Sequence, residues 1–358
     1  MAESAIKIRK FRELNITDPF FDSLRSSYSE FNSWFGKKAD ESAFVVFDDA
    51  NCIQAFLYVK IESGPVIDIT PILNVTRSLK VGTFKVNAHG TKLGERFVKI
   101  ISDMTLSQGV RHAYVTVFPE HEALIGILIE FGFSKWGTKQ SKNGSEDVFV
   151  KDMTKPTGDI LYDYPVVDTR NRKKWLLAIY PEFHSILFPD SILNNENPSI
   201  IRDVDFTNSI HKVYLGHMVS FPEFTPGDCV VIYKCNSSQK VASAWYTSVA
   251  TSLCVVEEVR PKRSFTCAED MIRYCNRYSV FNEQMLHRKY NEQKKTELHT
   301  IKMTYNIAFP KRPNLKSLVE QAKLPEPANA YYGLLPLDDA QFKKIMELGH
   351  VYEGSAFY

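Results

Sequence analysis

Residues Val81 to Gly109 constrain this chain more than any other stretch. Val81, Thr83 and Lys85 alternate with Gly82, Phe84 and Val86, the period-2 pattern of a strand. A short segment follows, Asn87-Ala88-His89-Gly90-Thr91-Lys92. From Leu93 the apolar residues Leu93, Phe97, Ile100, Ile101 and Met104 fall at helical spacing. Gly109 stands where a helix C-cap is expected. A strand that enters a long helix through a small-residue loop leaves backbone N–H groups aimed outward at the positive helix end. That arrangement suits a phosphate or pyrophosphate. Glycines between a strand and a helix also serve simply to make the turn.

The next elements narrow the choice. Arg111 to Phe118 is rich in β-branched and aromatic residues and reads as a strand. Glu120 to Ile129 reads as a second amphipathic helix, closed by Phe131-Gly132-Phe133. In this order the segment resembles the core of the GNAT family of acyl-CoA-dependent N-acetyltransferases, over roughly the first 153 residues. The family's loop pattern is Gln or Arg followed by x-x-Gly-x-Gly or Ala. Here His89-Gly90-Thr91-Lys92-Leu93-Gly94 keeps the outer glycines and puts Lys92 where a middle glycine is common. The lysine charge favours a pyrophosphate, whereas its Cβ limits how close the backbone comes.

The resemblance implies an α+β fold: a mixed, mostly antiparallel twisted sheet with helices on both faces. It also implies acetyl-CoA as donor. Amides of Ala88, His89, Gly90, Thr91, Lys92, Leu93 and Gly94 would hold the pyrophosphate. The pantetheine would lie beside Phe84, Lys85 and Val86, and a backbone N–H near Val86 would polarise the thioester carbonyl. Lys85 and Lys92 are candidate phosphate contacts, with solvated lysines as the alternative. Transfer needs a neutral amine, a donor to the thioester carbonyl and an acid for the leaving thiolate. Many members of the family carry a Tyr four residues before the closing Gly-Phe. Counting back from Gly132 gives Leu128, which has no proton to give. Tyr114 on the neighbouring strand is then a candidate acid, with packing as its alternative. His121 stands near where the family often has an Asn that touches CoA. It is a candidate for cofactor contact or proton shuttling, or for capping the helix start.

Ahead of this core, Ile6–Phe11 reads as a strand and Thr17-Asp18-Pro19 as a helix start. Phe20–Phe35 reads as aromatic helices that the resemblance places beside the acceptor groove. Ala43–Phe47 and Ile53–Ile61 read as strands, Ile67–Val75 as strand or loop, and Ser134–Lys151 as a closing hairpin.

Length and charge bound the rest. With 358 residues the chain has room for two or three domains. Its 44 basic and 42 acidic residues leave a net charge of +2, which excludes a generally polybasic chain; nucleic-acid binding then needs a local patch. The six cysteines show neither a C-x-x-C pair nor zinc spacing, so no metal is expected. They read as buried free thiols of a reducing cytosol. No apolar signal core and no apolar run of about 18 residues occurs, so a cytoplasmic protein is expected.

Pro156 to Arg172 reads as a linker that runs into the basic cluster Arg170, Arg172, Lys173 and Lys174. The expected organisation is a domain over 1–153, a linker over 154–174 and a second domain over 175–358. In the second half, Trp175 to His184, Pro226-Gly-Asp-Cys-Val-Val-Ile-Tyr233 and the strand pair read over Ala242–Val259 resemble the PUA-like superfamily, which includes ASCH and EVE domains. That resemblance implies a small β-barrel with helices, of a kind that often binds RNA or modified bases. The Gly-x-Lys-x-x-Glu-x-Arg run frequent in ASCH proteins is replaced by Phe188-Pro-Asp-Ser-Ile-Leu-Asn-Asn. Arg170, Arg172, Lys173, Lys174, Arg260 and Arg263 are candidate phosphate contacts. Trp175, Tyr180, Trp245 and Tyr246 are candidate stacking platforms. The combined expectation is acetyl transfer to an amine of RNA, or of an RNA-associated substrate such as aminoacyl-tRNA. The alternatives are a protein or small-molecule acetyltransferase with a docking barrel, and a non-catalytic CoA- or nucleic-acid-binding regulator.

Overall fold

The structure is a computed structural model that describes residues 6–87, 92–189, 209–236, 241–276, 278–351 and 357. The backbone divides into two units, Met1–Lys155 and Pro156–Tyr358. Both are mixed α+β. Among the described residues, no helix is long and apolar enough to cross a membrane.

The first unit runs β1 (Ile6–Lys10), α1 (Asp22–Ser27), α2 (Phe31–Lys37), β2 (Ser42–Phe47), β3 (Ile53–Ser63), β4 (Arg77–Val86) and α3 (Leu93–Ser107). It continues with β5 (His112–Val117), α4 (Glu122–Glu130), β6 (Ser134–Ser141) and β7 (Gly144–Asp152). One seven-stranded sheet holds them in the order β1-β2-β3-β4-β5-β7-β6. Neighbours are antiparallel except β4 and β5, which are parallel. On one face, Leu79 and Val81 of β4 and Ala113 and Val115 of β5 pack with Leu93, Phe97 and Ile101 of α3 and with Leu128 of α4. Each of these large side chains contributes about 2 kcal/mol by leaving water. α3 ends at Gly109, whose φ of +62° suits a residue without Cβ, and Val110 N–H reaches back to Thr105 C=O.

The other face is covered by two clusters. Phe11, Phe20, Phe21, Phe31 and Phe35 pack on Phe56 and Tyr58. Val66, Ile69 and Leu73 pack on Tyr114, Val148 and Val150. Residues 67–75, ambiguous in sequence, are thus a loop over the sheet, tied down by isolated bridges Val66↔Leu73 and Thr70↔Thr138.

The second unit runs α5 (Ile160–Asp163), β8 (Lys174–Ile179), α6 (Pro181–Leu187), β9 (His211–Gly216), β10 (Cys229–Lys234), α7 (Val241–Thr247) and β11 (Val249–Pro261). It continues with α8 (Ala268–Cys275), α9 (Glu283–Asn291), β12 (His299–Ala308), α10 (Leu315–Glu320), β13 (Leu334–Leu337) and α11 (Asp339–Leu348). The six-stranded sheet has the order β13-β8-β10-β11-β12-β9, with β8 and β10 parallel. Leu334 of the edge strand β13 shares a core with Trp175, Val230, Cys254 and Met303, and Tyr214 of the opposite edge β9 packs against that same core. The sheet therefore coils, although among the described residues its ladder does not close into a barrel.

Two sequence readings need correction. Ala242–Val259 is not a strand pair: α7 occupies its start, and a single long strand, β11, follows. The stretch read as a linker packs into this unit. Tyr164, Val166 and Val167 are buried, the Tyr164 hydroxyl donates to Tyr305 C=O at 3.1 Å, and Asn306 donates to Pro165 C=O at 3.2 Å.

Candidate active site

The parallel pair β4–β5 is short. It consists of Leu79↔Ala113, Lys80↔Tyr114 and Val81↔Val115, and then the strands part. β3 keeps hold of β4 as far as Ala55↔Val86, with one register shift that leaves Gly82 as an extra residue. Such a bulge bends the strand that carries it. Only a residue without Cβ fits there, because a Cβ on Gly82 would lie 2.6 Å from Tyr58 Cδ1. β5 meanwhile stays with β7 through Thr116↔Val148 and Val117↔Asp147. The result is a wedge whose walls are the edges of Thr83–Val86 and Thr116–Val117.

Because β4 and β5 are parallel, the starts of α3 and α4 both lie at the open end of this wedge. Each helix start carries partial positive charge. The two helices pack closely: a Cβ on Gly94 would lie 2.7 Å from Ile127 Cδ1. At the start of α3, Lys92 is ion-paired with Glu95.

The two faces of the wedge differ. Phe84 and Val86 face the α3 side, with Phe84 edge-on to Phe97 at 5.4 Å. Thr83 and Lys85 pair with Tyr58 and Phe56 and so share the α1–α2 side. On that side, Tyr28, just past α1, donates its hydroxyl to Glu146 Oε1 at 2.8 Å. Thr116 of the β5 wall donates to the same oxygen at 3.3 Å. Phe118 lies 5.4 Å from the Tyr28 ring. Glu146 is 5% exposed. Burial, then the charge and hydrogen bond of Glu146, push the Tyr28 pKa far up, so this phenol keeps its proton. Tyr28 and Glu146 escaped the sequence reading. They are far apart in the chain and form no local motif, and Glu146 sits beside Asp147 in a strand that also carries Lys151 and Asp152, so nothing local singles it out.

The expected cofactor residues divide. Ala88, His89, Gly90 and Thr91 lie outside the described residues. Phe84, Val86 and Lys92 line the wedge or its open end. Leu93 and Gly94 are buried between α3 and α4, which leaves only their backbone for a ligand. Lys85 turns away: its ammonium donates to Phe20 C=O and to Ser23 Oγ at 2.6 Å, and it sits 4.7 Å over the Phe20 ring. Burial lowers its pKa. It is a tie between β4 and the start of α1 rather than a phosphate contact. His121 stands at the α4 start, exposed, and its side chain makes no capping hydrogen bond.

Tyr114 also needs correction. It sits in the paired part of the ladder, below the divergence, and is fully buried. Its hydroxyl donates to Glu62, and Lys80 Nζ lies 5.3 Å from its ring centroid. Burial and Glu62 raise its pKa. The phenol belongs to a charge cluster of Glu62, Lys60, Lys80, Asp68 and Lys139, beside a cleft of about 380 Å³ at the far end of β3. It has no access to a thiolate in the wedge. Leu128 is a core residue with no exposure.

In the second unit, each of the six candidate cations already has a partner. Arg170 makes a two-point pair with Asp168, both contacts at 2.8 Å. Arg172 donates to Pro226 C=O at 3.2 Å, and Lys173 to Glu223 C=O at 2.9 Å. Lys174 is buried against Asp339 at 2.6 Å. Arg260 lies 4.1 Å over the Phe265 ring, and Arg263 is paired with Glu297. Trp175 is a core residue bonded to Asp228, not a stacking platform. Tyr180 is open, at 63% exposure, and so is Tyr246.

No model of a known protein family matches this sequence, and no curated protein matches it. Solved structures give partial likenesses. A GNAT-family acetyltransferase from Streptococcus agalactiae is 13% identical, covering 42% of this chain and 96% of that one, with a TM-score of 0.31. NAA60 of Arabidopsis thaliana, in complex with a bisubstrate analogue, is 12% identical over 41% of this chain and 98% of its own, with a TM-score of 0.31. The N-acetyltransferase PseH of Campylobacter jejuni, in complex with acetyl coenzyme A, is 18% identical over 41% and 99%, with a TM-score of 0.27. At TM-scores of 0.27 to 0.31 these likenesses decide nothing by themselves.

Proposed function

We propose that the first unit is an acetyl-CoA-dependent N-acetyltransferase of GNAT type. One observation carries this: a parallel strand pair that parts at the Gly82 bulge, with two helix starts at the open end. An extended pantetheine arm fits a wedge whose walls offer strand-edge backbone groups. The α3 start, with Lys92, is placed for the pyrophosphate. His121 at the α4 start is a cofactor contact in this reading. The thiolate takes its proton from the amine nitrogen once that nitrogen has bonded to the carbonyl carbon, since neither Tyr114 nor Leu128 can supply one.

The second unit is read as a PUA-like module that holds the acceptor, an amine of RNA or of an RNA-associated substrate. Its coiled mixed sheet and the exposed rings of Tyr180 and Tyr331 support that reading. The paired state of the six cations favours stacking over phosphate contacts as the source of affinity. A protein or small-molecule acceptor is the alternative, and the same experiment separates them.

The test is calorimetric binding of acetyl-CoA to the full chain, followed by transfer of labelled acetyl into RNA, protein and small-molecule fractions. Lys92→Glu is the matching variant. It places a second carboxylate beside Glu95 where phosphates are expected, without the collision that a side chain at Gly94 would cause. Binding roughly 10- to 100-fold weaker is expected, the scale of one reversed charge contact. A wild-type chain that binds no acetyl-CoA overturns the proposal. Label in protein or small molecules alone removes RNA as the acceptor.

A further inference from the structure

We infer that Glu146 is the general base of this transfer, held in place by Tyr28; this rests on the acetyltransferase reading above. Glu146 lies on the α1–α2 side of the wedge, hydrogen-bonded to Thr116 just past the point where β4 and β5 separate. The hydrogen bonds from Tyr28 and Thr116 both fall on Oε1. That fixes the carboxylate plane and leaves Oε2 to take a proton. The buried position strengthens any hydrogen bond it makes to an ammonium group.

The cations near this carboxylate are already paired with other carboxylates. Tyr28 comes from the α1–α2 connection, with the charges of Glu30 and Glu120 also acting on it. From β6, Lys139 is the cross-strand partner of Glu146, but its ammonium is 2.6 Å from Asp68. Lys142, in the hairpin turn, is paired with Glu30 at 3.3 Å. A cationic amine approaching from this side therefore meets carboxylates and a phenol.

The step balances as follows. Glu146 takes one proton from the acceptor ammonium, leaving a neutral amine. The amine lone pair forms the C–N bond to the thioester carbonyl carbon, and the C–S bond breaks with its electron pair staying on sulfur. The second amine proton goes to the thiolate, giving the free thiol. Glu146 then releases its proton to water. The products are the N-acetyl amide, CoA thiol and one proton.

The experiment uses the full chain with two probe acceptors. Spermidine is cationic at neutral pH, and hydroxylamine is largely uncharged there. The variants are Glu146→Gln, which keeps the shape but takes no proton, and Tyr28→Phe, which removes the positioning hydrogen bond. Calorimetric binding of acetyl-CoA is measured for each. Expected for Glu146→Gln is unchanged acetyl-CoA binding, a loss of roughly 100-fold or more in kcat with spermidine, and little loss with hydroxylamine. The spermidine deficit should shrink about tenfold per pH unit as rising pH neutralises the amine without help. Tyr28→Phe should fall between wild type and Glu146→Gln. Equal losses with both probes at every pH would make Glu146 a structural residue and overturn the inference. So would wild-type protein that binds acetyl-CoA yet acetylates neither probe. Failure of acetyl-CoA to bind at all would instead strike the acetyltransferase reading itself.

Discussion

Tyr114 and Tyr28 illustrate what a single phenol can do in two places on the same side of one sheet. Tyr114 lies where β4 and β5 still pair, and its hydroxyl is committed to Glu62. Burial raises the Glu62 pKa, but the hydrogen bonds from Lys60 and Tyr114 and the charge of Lys80 outweigh it and hold the carboxyl below its ordinary range. Tyr114→Phe removes one of several partners, so Glu62 stays ionised and paired with Lys60 at 2.6 Å. The expected outcome is a stability loss of about 1 kcal/mol in urea unfolding, with acetyl transfer unchanged. A drop in kcat beyond tenfold would return Tyr114 to the reaction. The sequence made Tyr114 visible because it stood on the right strand. It could not show where along that strand the pairing with β4 stops. Glu146 and Tyr28 were invisible for the converse reason: their meeting depends on how α1 crosses the sheet, which no local pattern encodes.

At the scale of elements, the part of the chain with clean periodicity was legible. Leu93, Phe97 and Ile101, at helical spacing in the sequence, gave α3 its buried stripe. α7 was not legible. Its sequence, Val-Ala-Ser-Ala-Trp-Tyr-Thr, is β-prone by composition, and a helix seven residues long has little intrinsic stability, so packing with α10 decides. The Gly82 bulge was equally silent, since a glycine in a strand signals a bulge only in general terms. Its consequence is local and testable. Gly82→Val would push its Cβ against the Tyr58 ring, whose hydroxyl is anchored on Glu41, so the ring has little room to yield. A destabilisation of about 1–3 kcal/mol is expected from the overpacking, with weaker acetyl-CoA binding because β4 no longer bends out at the wedge. Thermal unfolding and calorimetry separate the two effects. A variant that binds acetyl-CoA as wild type does would show that the bulge does not shape the site.

Over the whole molecule, the near-neutral composition is realised as pairing, and some of it is deep. In the second unit Glu257 of β11 is held by His211 of β9 at 2.6 Å and by Lys302 of β12 at 2.9 Å, so one carboxylate ties together three strands of the coiled sheet. Burial alone would raise its pKa. The hydrogen bond and charge of His211, together with Lys302, overcome that and lower it from the ordinary value of 4.5. A folded-state pKa below the unfolded one means that this group adds stability above the unfolded value, and that the contribution is lost as pH falls through the folded value. The loss therefore belongs below pH 4.5, not near neutrality. Glu257→Gln should cost stability at neutral pH, because it takes the anion away from the half-buried Lys302 ammonium and one hydrogen-bond partner from the buried His211 ring. It should also flatten the acid limb. The measurement is the urea midpoint of wild type and variant from neutral pH down to pH 3. Curves that converge as pH drops through the carboxylate range are the expected result. Parallel curves would mean that the three-strand tie is held by packing alone, and that the charge at Glu257 adds nothing to the sheet.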